Sequence, residues 1–384
     1  MASGWLHEGL RGIKPLRYAV RRARRTTEAY RVRAWTLRGA GRAADLPLHL
    51  GYAGQLESKN YLAHLAFRDA PHEQDHGMRW THRVLHGRAP HLANADLHVV
   101  DVARSVYRQF RRTEESIPEQ RLFCLPCWVQ GEIALSETAV APDAETVRSD
   151  VRLIKRNALE YRVVREPALF DWFYRSMYLP YMAAVYPGRA LLMSYDDMRE
   201  QRARSELLLI RKNGADVAGQ ILVHGSGGEA HAWSLGVLNG DQSLVKAGVL
   251  AALYYFAPRY LASQGYRALD IGLSRPFLND GVLQYKKKWG QRIVAGHANL
   301  FVLKFARGSA AAYAFLRGNP FIHLSRGWLH GAVFLAAHEA NDARAIDRLQ
   351  KRYAMPGISS LRFFAPDERG DMRLVEERRG SCDV

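Results

Sequence analysis

One carboxylate within an apolar strand is the side chain best suited to chemistry in this 384-residue sequence. Asp270 lies in the run Ala-Leu-Asp-Ile-Gly, residues 268–272, where an ionised group is costly unless it is paired. It could act as a general base toward an amine, or be a structural group satisfied by Arg275 or by backbone amides. His231 is a second candidate, because a neutral imidazole accepts a proton near pH 7, and its alternative is the structural role that a lone strand histidine usually has.

Three consecutive lysines follow this strand, in the stretch Tyr-Lys-Lys-Lys-Trp-Gly at 285–290. We expect residues 282–290 to form a final strand that returns to the sheet. Alternation along a strand would turn Lys286 and Lys288 to one side and Lys287 to the other. The three lysines then cannot form one patch, and Lys287 and Lys288 are expected to be solvated.

The elements that must position these groups are predicted by turn residues and by periodicity. Asn213-Gly214 is a strong hairpin signal, and together with the glycine-rich turn at 225–228 it predicts three antiparallel strands near 205–212, 216–224 and 229–238. A helix at 248–265 and the strand that contains Asp270 follow. The order of elements predicts an α+β fold with a mixed, mostly antiparallel sheet flanked by helices.

Composition shifts along the chain divide it into five predicted segments. They are a basic helical arm at 1–44, an N-terminal subdomain at 45–149, the main domain at 150–305, a helical extension at 306–366 and a disordered tail at 367–384.

The bulk composition bounds the partners and the compartment. A net charge of +17 favours anionic partners such as nucleic acid, phosphorylated cofactors or an anionic membrane surface. Residues 1–42 are rich in arginine and contribute a large part of this positive charge. They are interpreted either as an arm that contacts RNA or anionic lipid or as an arginine-rich helix packed on the domain. Three cysteines and no signal-peptide pattern predict a cytoplasmic protein, peripheral to the inner face of the membrane if the arm binds lipid. Cys124 and Cys127 are expected to be structural, and no metal site is predicted.

Residues 150–295 resemble the acyltransferase domain of the GNAT superfamily, in the branch related to Fem-type peptidyltransferases (BioF2-like). The resemblance is carried by Gly265-Tyr266-Arg267, by Leu-Asp-Ile-Gly at 269–272, by Ser274-Arg275-Pro276 and by Tyr-Lys-Lys-Lys-Trp-Gly at 285–290. The glycine-rich loop that holds coenzyme A in ordinary family members is not reproduced at 240–248. In that branch the domain is duplicated. Whether residues 45–149 form a partial, GNAT-like first copy is left open by the sequence.

The resemblance implies an N-acyltransferase that moves an acyl group from acyl-CoA to an amine of a small-molecule, sugar or peptide acceptor, with no tightly bound cofactor. Two alternatives stay open: a Fem-like enzyme that uses aminoacyl-tRNA, and a non-catalytic GNAT-fold scaffold in a cell-envelope or polysaccharide pathway. We assign catalytic roles to Asp270, His231 and Tyr254. The positions assigned to donor binding are Val237, Leu238, Lys246, Ala247 and Gly248. Those assigned to substrate binding are Trp233, Ser274, Arg275 and Lys286.

Overall fold

The computed structural model describes residues 30–85, 89, 94–110, 122–135, 145–185, 192–294 and 299–380. In chain order the strands are β1 Arg31–Ala40, β2 Pro47–Gly54, β3 His72–Trp80, β4 Leu97–Ala103, β5 Leu122–Pro126, β6 Val129–Ala134, β7 Glu160–Val164, β8 Ser205–Lys212, β9 Ala215–His224, β10 Glu229–Val237, β11 Ala268–Ser274, β12 Arg292–Val294, β13 Asn299–Phe305, β14 Phe321–Ser325, β15 Trp328–Phe334, β16 Ser360–Pro366 and β17 Met372–Arg379. The helices are α1 Leu56–Ala66, α2 Thr81–Leu85, α3 Arg104–Phe110, α4 Arg148–Arg156, α5 Pro167–Phe173, α6 Leu179–Val185, α7 Tyr195–Gln201, α8 Gln242–Lys246, α9 Val249–Ser263, α10 Gly281–Lys288, α11 Ala310–Gly318 and α12 Ala343–Tyr353.

Two compact units share the chain, and each is discontinuous in sequence. Among the described residues, the first unit comprises 130–273 and 285–292, and the second comprises 30–129, 274–284 and 293–380. The predicted main domain at 150–305 is therefore wrong at both ends. Residues 130–149 belong with it, whereas 274–284 and 293–305 belong to the other unit.

The sheet of the first unit has the strand order β12-β6-β11-β10-β9-β8-β7. Strands β7 to β10 form an antiparallel meander, and β10 pairs with β11 in parallel. The hairpin turn between β8 and β9 is Asn213-Gly214, both with positive φ, as the sequence predicts. Helix α9 covers one face through Val249, Ala252 and Leu253, and the segment from α5 to α6 covers the other through Phe170 and Phe173. The predicted α+β fold with a mostly antiparallel sheet flanked by helices is confirmed.

The second unit is built on a ten-stranded sheet of order β17-β16-β15-β14-β5-β13-β4-β2-β1-β3. Its pairs are antiparallel except for β2 with β4 and β15 with β16. Cys124 lies on β5 and Cys127 directly follows it, and their thiols contact the Tyr107 hydroxyl at 3.0 Å and the Asp101 carboxylate at 3.5 Å, respectively. These contacts support the structural reading of the two cysteines.

Three segment predictions are wrong in the second unit. Residues 31–40 of the expected helical arm form β1, because Arg31 and Arg33 alternate with buried Val32 and Ala34 in a strand period. Residues 1–29 of that arm lie outside the described residues. The expected helical extension at 306–366 does contain α11 and α12, but it also contains β14, β15 and β16.

The apolar run at 328–334 is a strand rather than a helix, because Arg326 and Gly327 both adopt positive φ and close a tight hairpin with β14. Short apolar runs do not by themselves distinguish a buried strand from a helix. The expected disordered tail contains β17, which pairs antiparallel with β16. The Asp367 carboxylate accepts hydrogen bonds from the amides of Arg369 and Asp371 and so builds the turn that returns the chain.

The expected strand at 282–290 is also wrong, because α10 occupies Gly281–Lys288. Asp280 precedes it and accepts hydrogen bonds from the amides of Val282 and Leu283 at 3.0 Å, which is an N-cap arrangement. The alternation argument for the three lysines therefore fails.

Among the described residues, none of the helices combines the length and apolarity that crossing a bilayer would require.

Candidate active site

The central feature of the first unit is a parallel strand pair that is joined over only three residue pairs. Strands β10 and β11 pair from Glu229 with Ala268 up to His231 with Asp270, and no further. Beyond that point β10 continues to Val237 with β9 as its partner, while β11 continues to Ser274 with β6 as its neighbour on the other side. Backbone groups on the facing edges of the two strands therefore make no ladder bonds with each other. The two strands are therefore splayed apart from this point onward.

His231 and Asp270 lie side by side at the last pair before the strands separate. The imidazole Nδ1 is 2.7 Å from the carboxylate Oδ2, and the side chains are only 9% and 14% exposed. The Gly272 amide donates to the other carboxylate oxygen at 2.7 Å. Neither ring nitrogen has a partner with good hydrogen-bond geometry among the described residues, so Nδ1 meets Asp270 Oδ2 as a close contact and Nε2 has no polar neighbour in hydrogen-bonding position. A hydrogen on Nδ1, toward the carboxylate, is the tautomer that this contact favours, and that tautomer has its lone pair on Nε2.

The charge state of Asp270 follows from its surroundings. Burial alone would raise the pKa of the Asp270 carboxyl, but the contact with His231, the Gly272 amide and the charge of Lys286 together hold that pKa below its ordinary value. The carboxylate therefore stays ionised at neutral pH and keeps the imidazole oriented.

The Lys286 side chain reaches the same strand from α10. Its residue is 4% exposed, and Nζ donates to the Leu273 carbonyl at 2.9 Å. Its two neighbours are not the solvated charges that we expected. Burial lowers the pKa of Lys287, and the Lys288 ammonium lies 2.6 Å from the Asp150 carboxylate.

Sequence reasoning missed Glu132. On β6, Gly131 and Ile133 face the core under α9, so Glu132 between them points to the other face of the sheet. On β11, Ile271 packs in that same core, so Asp270 also points to the other face. Burial raises the pKa of the Glu132 carboxyl, and the negative charges of Glu229 and Asp270 raise it further against the effect of Arg292. The only sequence signal is an acidic residue at an alternating position of a short strand, which is weak.

Trp233 lies at a bulge in β10, where the register with β9 shifts between Ala232 and Ser234. The bulge turns Trp233 and Ser234 to the same face, where the Trp233 indole packs in the core built by α5, α6 and the π-helical turn Tyr174–Tyr178 between them. The indole N–H is buried without a hydrogen-bond partner in the described part of the chain.

Gly236 is the point at which β10 passes that π-helical turn most closely. A Cβ atom at Gly236 would lie 2.6 Å from the backbone carbon of Met177 and 2.6 Å from the Tyr178 nitrogen. We expect Gly236→Ala to lower the free energy of unfolding by about 2–3 kcal/mol, measured by urea denaturation. Gly281→Ala is the control, because nothing lies within 4 Å of its Cβ position. Equal stability of the two variants would contradict this prediction.

The segment assigned to donor binding joins β10 to α9. Val237 ends β10, Leu238 begins a short 3₁₀ turn, and the exposed Lys246 ends α8. Gly248 adopts φ 96° as the N-cap of α9, and its Cβ position would lie 3.0 Å from Leu153 Cβ on α4. The Asn157 amide also donates to the Ala247 carbonyl at 3.0 Å, so α4 fixes the entry to α9.

Three remaining predicted site residues lie apart from the dyad or in the other unit. Tyr254 is on α9 and packs against Tyr285 and Trp289, on the opposite face of the sheet from His231. Ser274 and Arg275 belong to the second unit. The structure thus brings together His231, Asp270 and Lys286 from the predicted set.

Comparisons with solved structures find distant likenesses. The chain is similar to a domain assigned as the C-terminal domain (DUF2156) of a lysylphosphatidylglycerol synthetase from Agrobacterium fabrum, with 13% identity, a TM-score of 0.36 and coverage of 74% of this chain and 84% of that one. It is similar to L-PGS from Bacillus licheniformis, with 9% identity, a TM-score of 0.35 and coverage of 74% and 88%. It is similar to a GCN5-related N-acetyltransferase from Sphaerobacter thermophilus, with 14% identity, a TM-score of 0.32 and coverage of 70% and 75%. Neither a protein-family model nor a curated protein matches the sequence.

Proposed function

We propose that the first unit is an acyltransferase that moves an acyl group from acyl-CoA to an amine acceptor. The observation that carries this proposal is the His231–Asp270 pair at the point where β10 and β11 separate. A buried imidazole with a free Nε2 lone pair, oriented by an ionised carboxylate, is the arrangement that a general base requires. The unpaired strand edges beside it offer backbone N–H groups to a developing oxyanion.

In the proposed reaction, the bound ammonium first releases one proton to solvent, and the neutral amine nitrogen then attacks the thioester carbonyl carbon and gives a second proton to His231 Nε2. The carbonyl oxygen becomes an oxyanion that the strand edges stabilise by hydrogen bonds. The carbon–sulfur bond then breaks, and the departing thiolate takes the proton back from the imidazolium. Tyr254 is not needed as the acid in this scheme, because the imidazolium serves both proton transfers.

The charges around the pair support an amine as the acceptor. Glu132 and Glu229 add negative potential at this end of the site, and this potential attracts an ammonium group. Lys286 has a different role, because its charge lowers the pKa of Asp270 and keeps the dyad carboxylate ionised.

The donor is tested by isothermal calorimetry of the full chain with acetyl-CoA, a longer acyl-CoA and an aminoacyl-tRNA. We expect acyl-CoA to bind, and Lys246→Met to weaken that binding by about threefold to tenfold through loss of a charge beside the α9 entry. Binding of none of the three would overturn the proposal.

The net charge of +17 favours a second donor, aminoacyl-tRNA, in the same chemistry. The salt dependence separates the two donors, because tRNA binding falls steeply between 50 and 200 mM salt and acyl-CoA binding far less.

Contact of residues 1–42 with an anionic membrane is a further proposal, which vesicle flotation with and without phosphatidylglycerol would test.

A further inference from the structure

Arg275 of the second unit has an unusual environment for a buried cation. It is 6% exposed, and its guanidinium lies over two aromatic rings. Its Cζ atom lies 3.7 Å from the centroid of the Trp128 ring and 4.5 Å from that of the Tyr61 ring. These two cation–π contacts restrict the guanidinium and leave its remaining N–H groups for hydrogen bonding.

Those N–H groups are mostly unused by the protein. The guanidinium makes two hydrogen bonds, both from Nη1 and both long at 3.4 Å, to Ser58 Oγ and to the Cys127 carbonyl. Within the described residues, Nε and Nη2 donate to nothing, and no carboxylate lies at ion-pairing distance. Nε and Nη2 are the two donors that hold a carboxylate or phosphate side by side.

Lys59, another buried cation of the same unit, has the carboxylate partner that Arg275 lacks. The Lys59 side chain is 5% exposed and forms an ion pair with Glu73. Burial lowers the pKa of Arg275, while charges that include buried Asp101 act in the opposite direction from beyond ion-pairing distance. The guanidinium remains charged, since arginine does not deprotonate in proteins. Its positive charge has only more distant electrostatic partners, and Nε and Nη2 keep their hydrogens available.

We propose that Arg275 is the receptor of an oxyanion, a carboxylate or phosphate group that binds side-on to Nε and Nη2. The Ser58 hydroxyl accepts from Nη1, so its own hydrogen is available as a third donor to the same anion. The aromatic rings pre-organise the fork and exclude water around it, which favours a charge-assisted pair. This site belongs to the second unit and does not rest on the acyltransferase proposal.

Trp128 provides a reporter for the test, because its ring is stacked on the guanidinium. The full chain is titrated with sodium phosphate and, separately, with sodium acetate, at an ionic strength held constant with sodium chloride. We expect a saturable change in tryptophan emission with at least one anion, and loss of that change in Trp128→Phe. Saturation with phosphate alone identifies a phosphate site, and saturation with acetate alone identifies a carboxylate site.

Two variants of Arg275 link the signal to the fork. Arg275→Met should weaken the anion response by about tenfold or more, and Arg275→Lys, which keeps a charge but not the fork, should weaken it nearly as much. Arg259→Met is the matched control, because Arg259 also stacks on a ring, that of Tyr255 at 3.7 Å, but in the first unit. Near-UV circular dichroism confirms the fold, and Arg275→Lys serves alone if the methionine variant does not fold. A response that never saturates, or that persists in Arg275→Lys, overturns the proposal.

Discussion

Replacement of His231 by glutamine is expected to lower the rate of amine acylation by about a hundredfold or more, because it removes the proton acceptor. Glutamine is close to histidine in size and can still contact Asp270 across the 2.7 Å pair. The fold and the binding of the donor should therefore be kept. The measurement is the release of the coenzyme A thiol in the presence of an amine, with kcat and KM determined separately.

Asp270→Asn should reduce kcat by a comparable factor for a different reason. An amide can donate to the imidazole Nδ1, and this would reverse the tautomer and place the hydrogen on Nε2. Donor affinity measured by calorimetry should change little in both variants. A structural role for the pair would instead lower stability and affinity together.

His224→Gln is the matched control for this experiment. His224 is also a strand histidine of the first unit, and its Nδ1 lies 2.7 Å from the Tyr266 hydroxyl. His224 faces the α9 side of the sheet. The adjacent residue Val223 points to the other side, where it packs with Phe170 and Phe173. We expect its kcat to stay within about threefold of the wild-type value. If His231→Gln were equally mild, the assignment of the dyad would fail.

The part of the fold that the sequence predicts well is the part with strong local signals. Asn213-Gly214 and the glycine-rich turn at 225–228 determine the strand ends of the meander, and the structure agrees within a few residues. The helix from Val249 to Ser263 has a long apolar period and was predicted for the same reason.

The failures arise where local and long-range signals compete. Residues 281–288 read as a strand when the apolar positions alone are counted, but the Asp280 N-cap decides for a helix. The run at 328–334 is short enough to suit either state, and pairing with distant strands decides for β. The discontinuous units could not be predicted, because no composition shift marks residues 273–274 or 292–293, where the chain leaves the first unit.

The candidate site shows the same division. Asp270 and His231 were each recognised by residue type and strand context, but their contact depends on a parallel register between strands that lie almost forty residues apart. Glu132 enters from a third strand still farther away in sequence, and no local motif marks it. Sequence thus predicts which side chains are costly to bury, and only the sheet topology shows how they are compensated.

The second unit should lose stability on acidification because it buries histidines with lowered pKa values, most strongly His323 and His98. Burial lowers the pKa of His323 to about 3 and that of His98 to about 4, from an ordinary value of 6.5. The unfolded chain takes up these protons below pH 6.5, whereas the folded protein takes them up only near pH 4 and pH 3. Their contribution to stability is therefore complete above pH 6.5 and is lost progressively as the pH falls toward those values.

His323→Phe isolates one of these contributions. The His323 ring meets the Phe123 ring edge-on at 5.2 Å, so a phenyl ring suits the site and cannot take up a proton. Between pH 7 and pH 4 we expect the variant to lose about 3 kcal/mol less unfolding free energy than the wild type, measured by urea denaturation at each pH.

Phe321→Leu is the control for that experiment, since Phe321 is fully buried on the same strand but does not titrate. It should lower stability by a similar amount at every pH, because the loss of packed volume does not depend on protons. Parallel pH curves for His323→Phe and the wild type would show that the folded protein accommodates the imidazolium. The neutral burial of His323 would then be no source of acid sensitivity, and the role of His98 would have to be tested by His98→Phe in the same way.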